Sequence, residues 1–211
     1  MDGDFFMSNR LRRWEAALMI AVAFAMLAGM WLDGEQGALA ENVIRLHVIA
    51  NSDSEADQAL KLQVRDRILA QAADLYPDGA DAETARKSIE DNLARLAQAG
   101  QQVVREQGYD YPVTTAVKEV WFPTKQYQDF ALPAGSYTAL QVVIGEGSGQ
   151  NWWCVVFPPL CLGSVTEEIE AAEQAGSFTP GQTALITGES GGYVVKFKAI
   201  ELWEHLKRKF T

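Results

Sequence analysis

The chain has 211 residues, enough for one domain and a tail. Hydrophobic residues make up 48% and charged residues 22%, which suits a globular core with a solvated surface. The net charge of −10 argues against a nucleic-acid partner, because phosphate binding needs a basic face.

Residues 1–40 read apart from the rest. Arg10, Arg12 and Arg13 precede an unbroken apolar run from Ala16 to Leu32, and a polar stretch then leads to Ala38-Leu39-Ala40. A basic start, an apolar middle and small residues at −3 and −1 form the layout of a secretory leader. The arginines hold its start on the cytoplasmic side. The apolar run, about 17 residues, is at the lower edge of a bilayer-spanning helix. Two fates stay open: cleavage after Ala40, with Ala38 and Ala40 as the recognised pair, or retention as an anchor touching the membrane through residues 14–32. A buried core helix fits poorly, since the run has no polar face. The expected organisation is thus 1–40 as signal peptide or anchor and 41–211 as a single exported domain. Three of the 18 Lys and Arg and five of the 28 Asp and Glu lie in residues 1–40, so the exported part stays acidic at −8.

Val43–Ala50 alternates and is rich in β-branched residues, which predicts a strand. Asn51-Ser52-Asp53-Ser54 is a turn and cap cluster; Ser52 with Glu55, or Ser54 with Asp57, has capping-box spacing. A helix to about Leu75 follows, with Leu60, Val64 and Ile68 on its buried stripe and Lys61 and Arg65 on the other face. Tyr76–Gly79 breaks it. A second helix is expected from Ala82 to Gln107, ended by Gly108.

Val113–Phe122, Tyr137–Glu146 and Asn151–Phe157 then read as strands. Gly145–Gly149 suggests a hairpin between the last two. Residues 123–136 read as a long loop with an exposed tip at Lys125–Gln128. Ser164 with Glu167 opens a short helix ending near Gly176. Residues 177–192 are Gly-, Ser- and Thr-rich, with a brief strand expected at Ala184–Thr187. Tyr193–Phe210 reads as a final helix with Lys207, Arg208 and Lys209 in its last turn, where cations favour the helix dipole. The order of elements implies an α+β fold, a mainly antiparallel sheet packed against helices, behind an N-terminal signal or anchor helix.

Cys154 and Cys161 are the two cysteines, with six residues between them that include Pro158 and Pro159. In an exported chain this spacing reads as a disulfide worth about 2.5 kcal/mol of loop entropy. Two free thiols or a pair of metal ligands are the competing readings; no further ligands stand nearby in sequence.

Signs of catalysis are few. His47 and His205 are the two histidines. His47 lies in a strand and suits a hydrogen-bonded core residue. His205 suits a solvated position near a helix end. His47, Ser52 and Asp53 stand too close in sequence for a nucleophilic triad, and no nucleophile-elbow pattern accompanies them. Gly145, Gly147 and Gly149 lack dinucleotide spacing. Trp152 and Trp153 point to opposite faces of a strand, so one is core and the other is either covered or a partner anchor.

Two segments carry a resemblance. Ile44–Ser54, continuing through Asp57, Gln58, Leu60, Lys61, Val64, Arg65 and Asp66, and Asn151–Cys161 are similar to the stage II sporulation protein R family of endospore-forming bacteria. The resemblance covers residues 42 to 163 well and the C-terminal third loosely. It implies a protein made in the forespore and exported into the space between the two sporangial membranes. There it would trigger a membrane-embedded aspartic protease of the mother cell, which removes the pro-sequence of sigma factor E. It implies a signal and not an enzyme, with no cofactor, metal or catalytic residue. The chain itself has no Asp-Thr/Ser-Gly motif.

A receptor-activating ligand must bind one receptor state better than the other. The candidate partner-binding residues are Asn51, Ser52 and Asp53 at the cap, Lys61 and Arg65 on an exposed helix face, and Trp152 and Trp153 beside the Cys154–Cys161 loop. Plainer readings of these groups are a helix start, a solvated face and scaffolding. The rival functions are a cell-envelope enzyme using His47 and Asp53 as acid and base, and a structural binding module of the spore envelope. Oligomeric state is left open by the sequence.

Overall fold

The computed structural model describes residues 14–24, 27, 37–77, 79–127, 130–161 and 165–187. The chain divides into two compact units, Met1–Gly37 and Ala38–Thr211. In the first, residues 14–24 are helical, and Trp14, Leu18, Met19, Ile20 and Phe24 are all exposed. Among the described residues no helix is long and apolar enough to cross a membrane. The apolar run continues through positions outside them, where Arg10, Arg12 and Arg13 also lie.

The second unit is built around β1 (Ile44–Ile49), in which every residue but the last is buried. After it come α1 (Glu55–Ala73), α2 (Ala82–Asp91), α3 (Leu93–Glu106), β2 (Val113–Phe122), β3 (Lys125–Gln126), β4 (Ala131–Leu132), β5 (Gly135–Ile144), β6 (Asn151–Phe157), α4 (Val165–Gln174) and α5 (Pro180–Thr187). The main sheet has the order β2-β5-β1-β6, and β3 pairs with β4 in a separate ribbon. β1 runs parallel to β5 and antiparallel to β6, while β2 runs antiparallel to β5. The fold is α+β, with a mixed, mainly antiparallel sheet packed on helices.

Each face of the sheet has its own core, because side chains alternate along a strand. Ile44, Leu46 and Val48 of β1 join Leu60, Val64 and Ile68 of α1, Ile89 of α2 and Leu96 and Val104 of α3. The opposite face gathers Leu39, Val43, Phe122, Phe130, Tyr137, Val155, Leu160, Ile169, Phe178 and Ile186. β6 is an edge strand whose outward groups are engaged. Tyr127 Oη donates to the Trp153 carbonyl at 3.1 Å, Tyr76 Oη donates to the Val156 carbonyl at 2.6 Å, and the Val155 N–H donates to Cys161 Sγ at 3.2 Å. Such cover protects an edge against unwanted pairing. The Cys154–Cys161 disulfide closes the loop beyond it, with Cα atoms 6.5 Å apart, inside the usual range.

Four expectations are corrected. The Gly145–Gly149 segment is no hairpin: β5 and β6 flank β1, so their connection crosses the end of β1. A strand buried on both faces belongs in the middle of a sheet, and β1 takes that place. The long helix predicted for 82–107 is two helices, α2 and α3. The Asn92 side chain donates to the Ser88 carbonyl at 2.8 Å, and its own backbone leaves the helical region at φ −113°, ψ 13°. Asparagine competes in this way with the helical hydrogen bonds. Residues 184–187 are helical, not a strand. Thr179 and Gln182 form a reciprocal capping box with Pro180 at the first helical position, which outweighs the loop-like composition. Tyr127 is no exposed tip. It stacks on Phe130 at 4.4 Å and turns its hydroxyl inward, while Lys125 and Gln126 are exposed. The helix expected at Tyr193–Phe210, with His205, and the Ser164 cap lie outside the described residues.

The crossing of β1 leaves no room above Ser52. A Cβ built at Gly149 would overlap the Ser52 carbonyl oxygen, whereas one at Gly181 meets only Thr179 Oγ1 at 3.9 Å. Gly149→Ala is therefore expected to destabilise the domain by about 2–3 kcal/mol, and Gly181→Ala in exposed helix to leave it unchanged or gain up to about 1 kcal/mol. Urea unfolding of the two variants checks the contrast.

Candidate functional site

The end of β1 is tied to the β5–β6 connection by the cap residues. Asn51 donates to Asp57 Oδ2 at 2.9 Å, and its Oδ1 accepts the Glu146 N–H at 3.0 Å. Ser52 Oγ donates to the same Asp57 oxygen at 2.6 Å. Asp53 Oδ1 accepts the Gln150 N–H at 2.7 Å. Ser148 donates to the Asn51 carbonyl at 2.6 Å. Ser54 is the N-cap of α1 and accepts from the Asp57 N–H. The Ser52 hydroxyl first, with the Asn51 amide, holds the Asp57 carboxyl below the usual carboxylate range against the opposing effect of burial. Asn51, Ser52 and Asp53 are thus engaged in joining three segments.

Lys61 is corrected from exposed to buried, with 4% exposure. Its ammonium donates to Gln58 Oε1 and to the Gln150 carbonyl, because the crossing connection folds over this turn of α1. Burial draws its pKa down, partly offset by Asp53. Arg65, one turn on, is half-buried, its side chain 19% exposed. Its guanidinium lies 4.5 Å from the centre of the Trp152 ring and 2.7 Å from Asp66. Trp152 is 37% exposed, and among the described residues it is the only large hydrophobic so exposed outside residues 14–27. Trp153 points the other way, into the second core, as strand alternation requires.

On that second face β1 presents Arg45 and His47. Arg45 is fully buried. Its guanidinium stands 4.0 Å from the Phe122 ring centre and 5.0 Å from that of Tyr137. Nη2 donates to Tyr127 Oη at 3.1 Å, and Nε and Nη1 have no hydrogen-bond partner among the described residues. The charge is held chiefly by aromatic faces, which attract a desolvated cation by about 2 kcal/mol each. His47 is 7% exposed. The Gln141 amide donates to its Nδ1 at 3.2 Å, so Nε2–H donates to Asn151 Oδ1 at 2.9 Å. Burial first, with Lys118 and Arg45 adding to it, lowers the His47 pKa against the Asn151 bond. The ring is therefore held neutral with both nitrogens engaged, and no hydrogen bond links it to Asp53. Among the described residues no group of three or more His, Cys, Asp or Glu could hold a metal ion. A groove of about 400 Å³ lies between the end of α1, the Pro158-Pro159 turn and α4, and its described lining carries no acidic or basic side chain.

The family model of stage II sporulation protein R matches residues 40–167. The chain belongs to that family. The stage II sporulation protein R of Bacillus subtilis (strain 168) is 36% identical over 122 residues, which is 58% of this chain and 54% of that relative. The match thus spans about half the length of the curated relative. No solved structure matches. The stage II sporulation protein R match contains the whole main sheet, the cap network, the Arg65–Trp152 pair and the disulfide, and it ends inside α4.

The structure therefore brings Asn51, Ser52, Asp53 and Lys61 into one network and sets Arg65 with Trp152 outside it. Trp153 belongs to a third group with Arg45, His47 and Tyr127. Sequence reasoning gave Asp57 only as the cap partner of Ser54 and Tyr127 only as part of an exposed tip, and it passed over the roles of Gln141 and Asn151 and the burial of Arg45. One signal was present: Arg45 and His47 alternate with Ile44, Leu46 and Val48, so two polar residues share one face of a strand apolar on the other.

The lowered His47 pKa has a definite sign. Below about pH 6.5 the unfolded chain takes up a proton on this histidine that the folded chain refuses. Stability should fall as pH drops from about 6.5 and level off once the folded value is passed. His47→Gln should flatten that limb. Melting temperatures at pH 8, 6.5 and 5.5 for both proteins check this.

Proposed function

We propose that this chain is an intercellular signal of sporulation. It is exported from the forespore into the intermembrane space and activates a membrane-embedded aspartic protease of the mother cell, which then removes the pro-sequence of sigma factor E. Membership of the stage II sporulation protein R family supports the reading. So does a disulfide between the two cysteines, which persists in oxidising compartments beyond the cytoplasmic membrane.

The observation that carries the binding surface is Trp152, exposed on the outer strand with Arg65 stacked on it. Tryptophan and arginine are the residues that dominate interface energies when a partner covers them. Moving a receptor from 1:99 to 99:1 needs about 5.5 kcal/mol of preference for its active state, and a few such anchors within a standard interface supply it. Asn51, Ser52, Asp53 and Lys61 support this surface from beneath, since their side chains hold the connection that leads into Trp152.

A strain lacking its own copy of the signal, expressing this chain in the forespore, is the test. Processing of the pro-sigma factor in the mother cell should be restored. Trp152→Ala should cut it about tenfold or more and Arg65→Ala by a smaller factor, with export and thermal melting unchanged. A correctly exported wild-type chain that leaves the pro-sigma factor unprocessed would sink the reading.

A further inference from the structure

Between the apolar run and β1, one pair of small residues has the −3/−1 spacing that a signal peptidase reads, Ala38 and Ala40. In the structure that pair sits in a helical turn, residues 37–41, closed by the Asn42 N–H donating to the Leu39 carbonyl at 3.2 Å. Leu39, between the two alanines, is 0% exposed. It belongs to the second core together with Val43, Phe122 and Val155. Ala40 packs against the same cluster. The folded unit starts at Ala38, upstream of the bond a peptidase would cut. Cleavage after Ala40 would strip the domain of a fully buried leucine and of the turn that carries it. A chain cut there would have to fold without that core leucine, which costs about 2–5 kcal/mol.

A second observation concerns the leader itself. Trp14 is 76% exposed, Leu18 66%, Met19 72%, Ile20 70% and Phe24 73%. These side chains lie all around the helix rather than on one stripe, and an apolar surface of that kind is at its lowest free energy in lipid. Arg10, Arg12 and Arg13 precede it, as cations do on the cytoplasmic side of an inserted helix.

We infer that the chain is not cut at the Ala40–Glu41 bond and that the lipid bilayer covers the apolar segment 14–32, which keeps the exported domain tethered. The inference rests on the export proposed above and deepens it: the ligand acts from the membrane of the cell that made it, not by free diffusion.

The full chain with a C-terminal epitope, expressed in a bacterial host, tests this. The expected protein sediments with membranes, resists salt and alkaline extraction, dissolves in detergent and has an intact mass that includes residues 14–32. A mature species that begins anywhere after Leu32 overturns the inference. Leu39→Ala in the same detergent-solubilised chain should lower the melting temperature by about 5–15 °C, and unchanged melting would remove the reason for retention. Neither readout involves pro-sigma processing. A chain that signals but starts at Glu41 sinks the tether alone, and a tethered chain that fails to signal sinks the functional reading alone.

Discussion

The architecture depends on one strand having neighbours on both sides. β1 is buried on both faces and hydrogen-bonded on both edges, parallel to β5 and antiparallel to β6. Strands this distant in sequence come together only if the chain between β5 and β6 passes over the end of β1. That crossing is held by Asn51, Ser52 and Asp53 and requires glycine at 149, where the connection touches the Ser52 backbone. The same turn starts α1 through Ser54, so one cluster sets the strand, the helix and the crossing together. Losing Asn51 or Ser52 would leave the buried Asp57 carboxylate short of a donor, which costs more than a hydrogen bond contributes.

A second constraint lies on the opposite face. Arg45 is enclosed, two of its nitrogens having no partner among the described residues, and desolvating such a charge costs several kcal/mol. Phe122 and Tyr137 offset part of this with their ring faces, and Tyr127 supplies a hydroxyl. Burial pushes the Tyr127 phenol up, so it keeps the proton it donates to the Trp153 carbonyl. The edge strand β6, which carries Trp152 and the disulfide, is thereby fastened to the central strand from behind as well as along its edge.

These two constraints bear on function by elimination of free groups. Polar residues that look available in sequence are drawn into the scaffold: Asp53 by Gln150, Lys61 by Gln58 and Gln150, His47 by Gln141 and Asn151. The half-buried Arg65 packs on the exposed Trp152 between helix and strand, an arrangement formed before any partner meets it. The family match covers the stretch of chain that holds this pair.

Much of this was legible in the sequence. The strand limits at 113–122 and 151–157, the helix from Ser54, the cysteine pairing and the opposite orientation of Trp152 and Trp153 follow from periodicity, cap chemistry and spacing. These are local rules, operating over a few residues, and the family motif adds the assignment. The order of strands, the inward turn of Tyr127 and the burial of Lys61, Arg45 and Leu39 were decided by tertiary structure. Each depends on what a segment meets far along the chain. Pairing of β1 with partners about 100 residues away is invisible to alternation, and a lysine on a helix reads as solvated until another loop is laid across it.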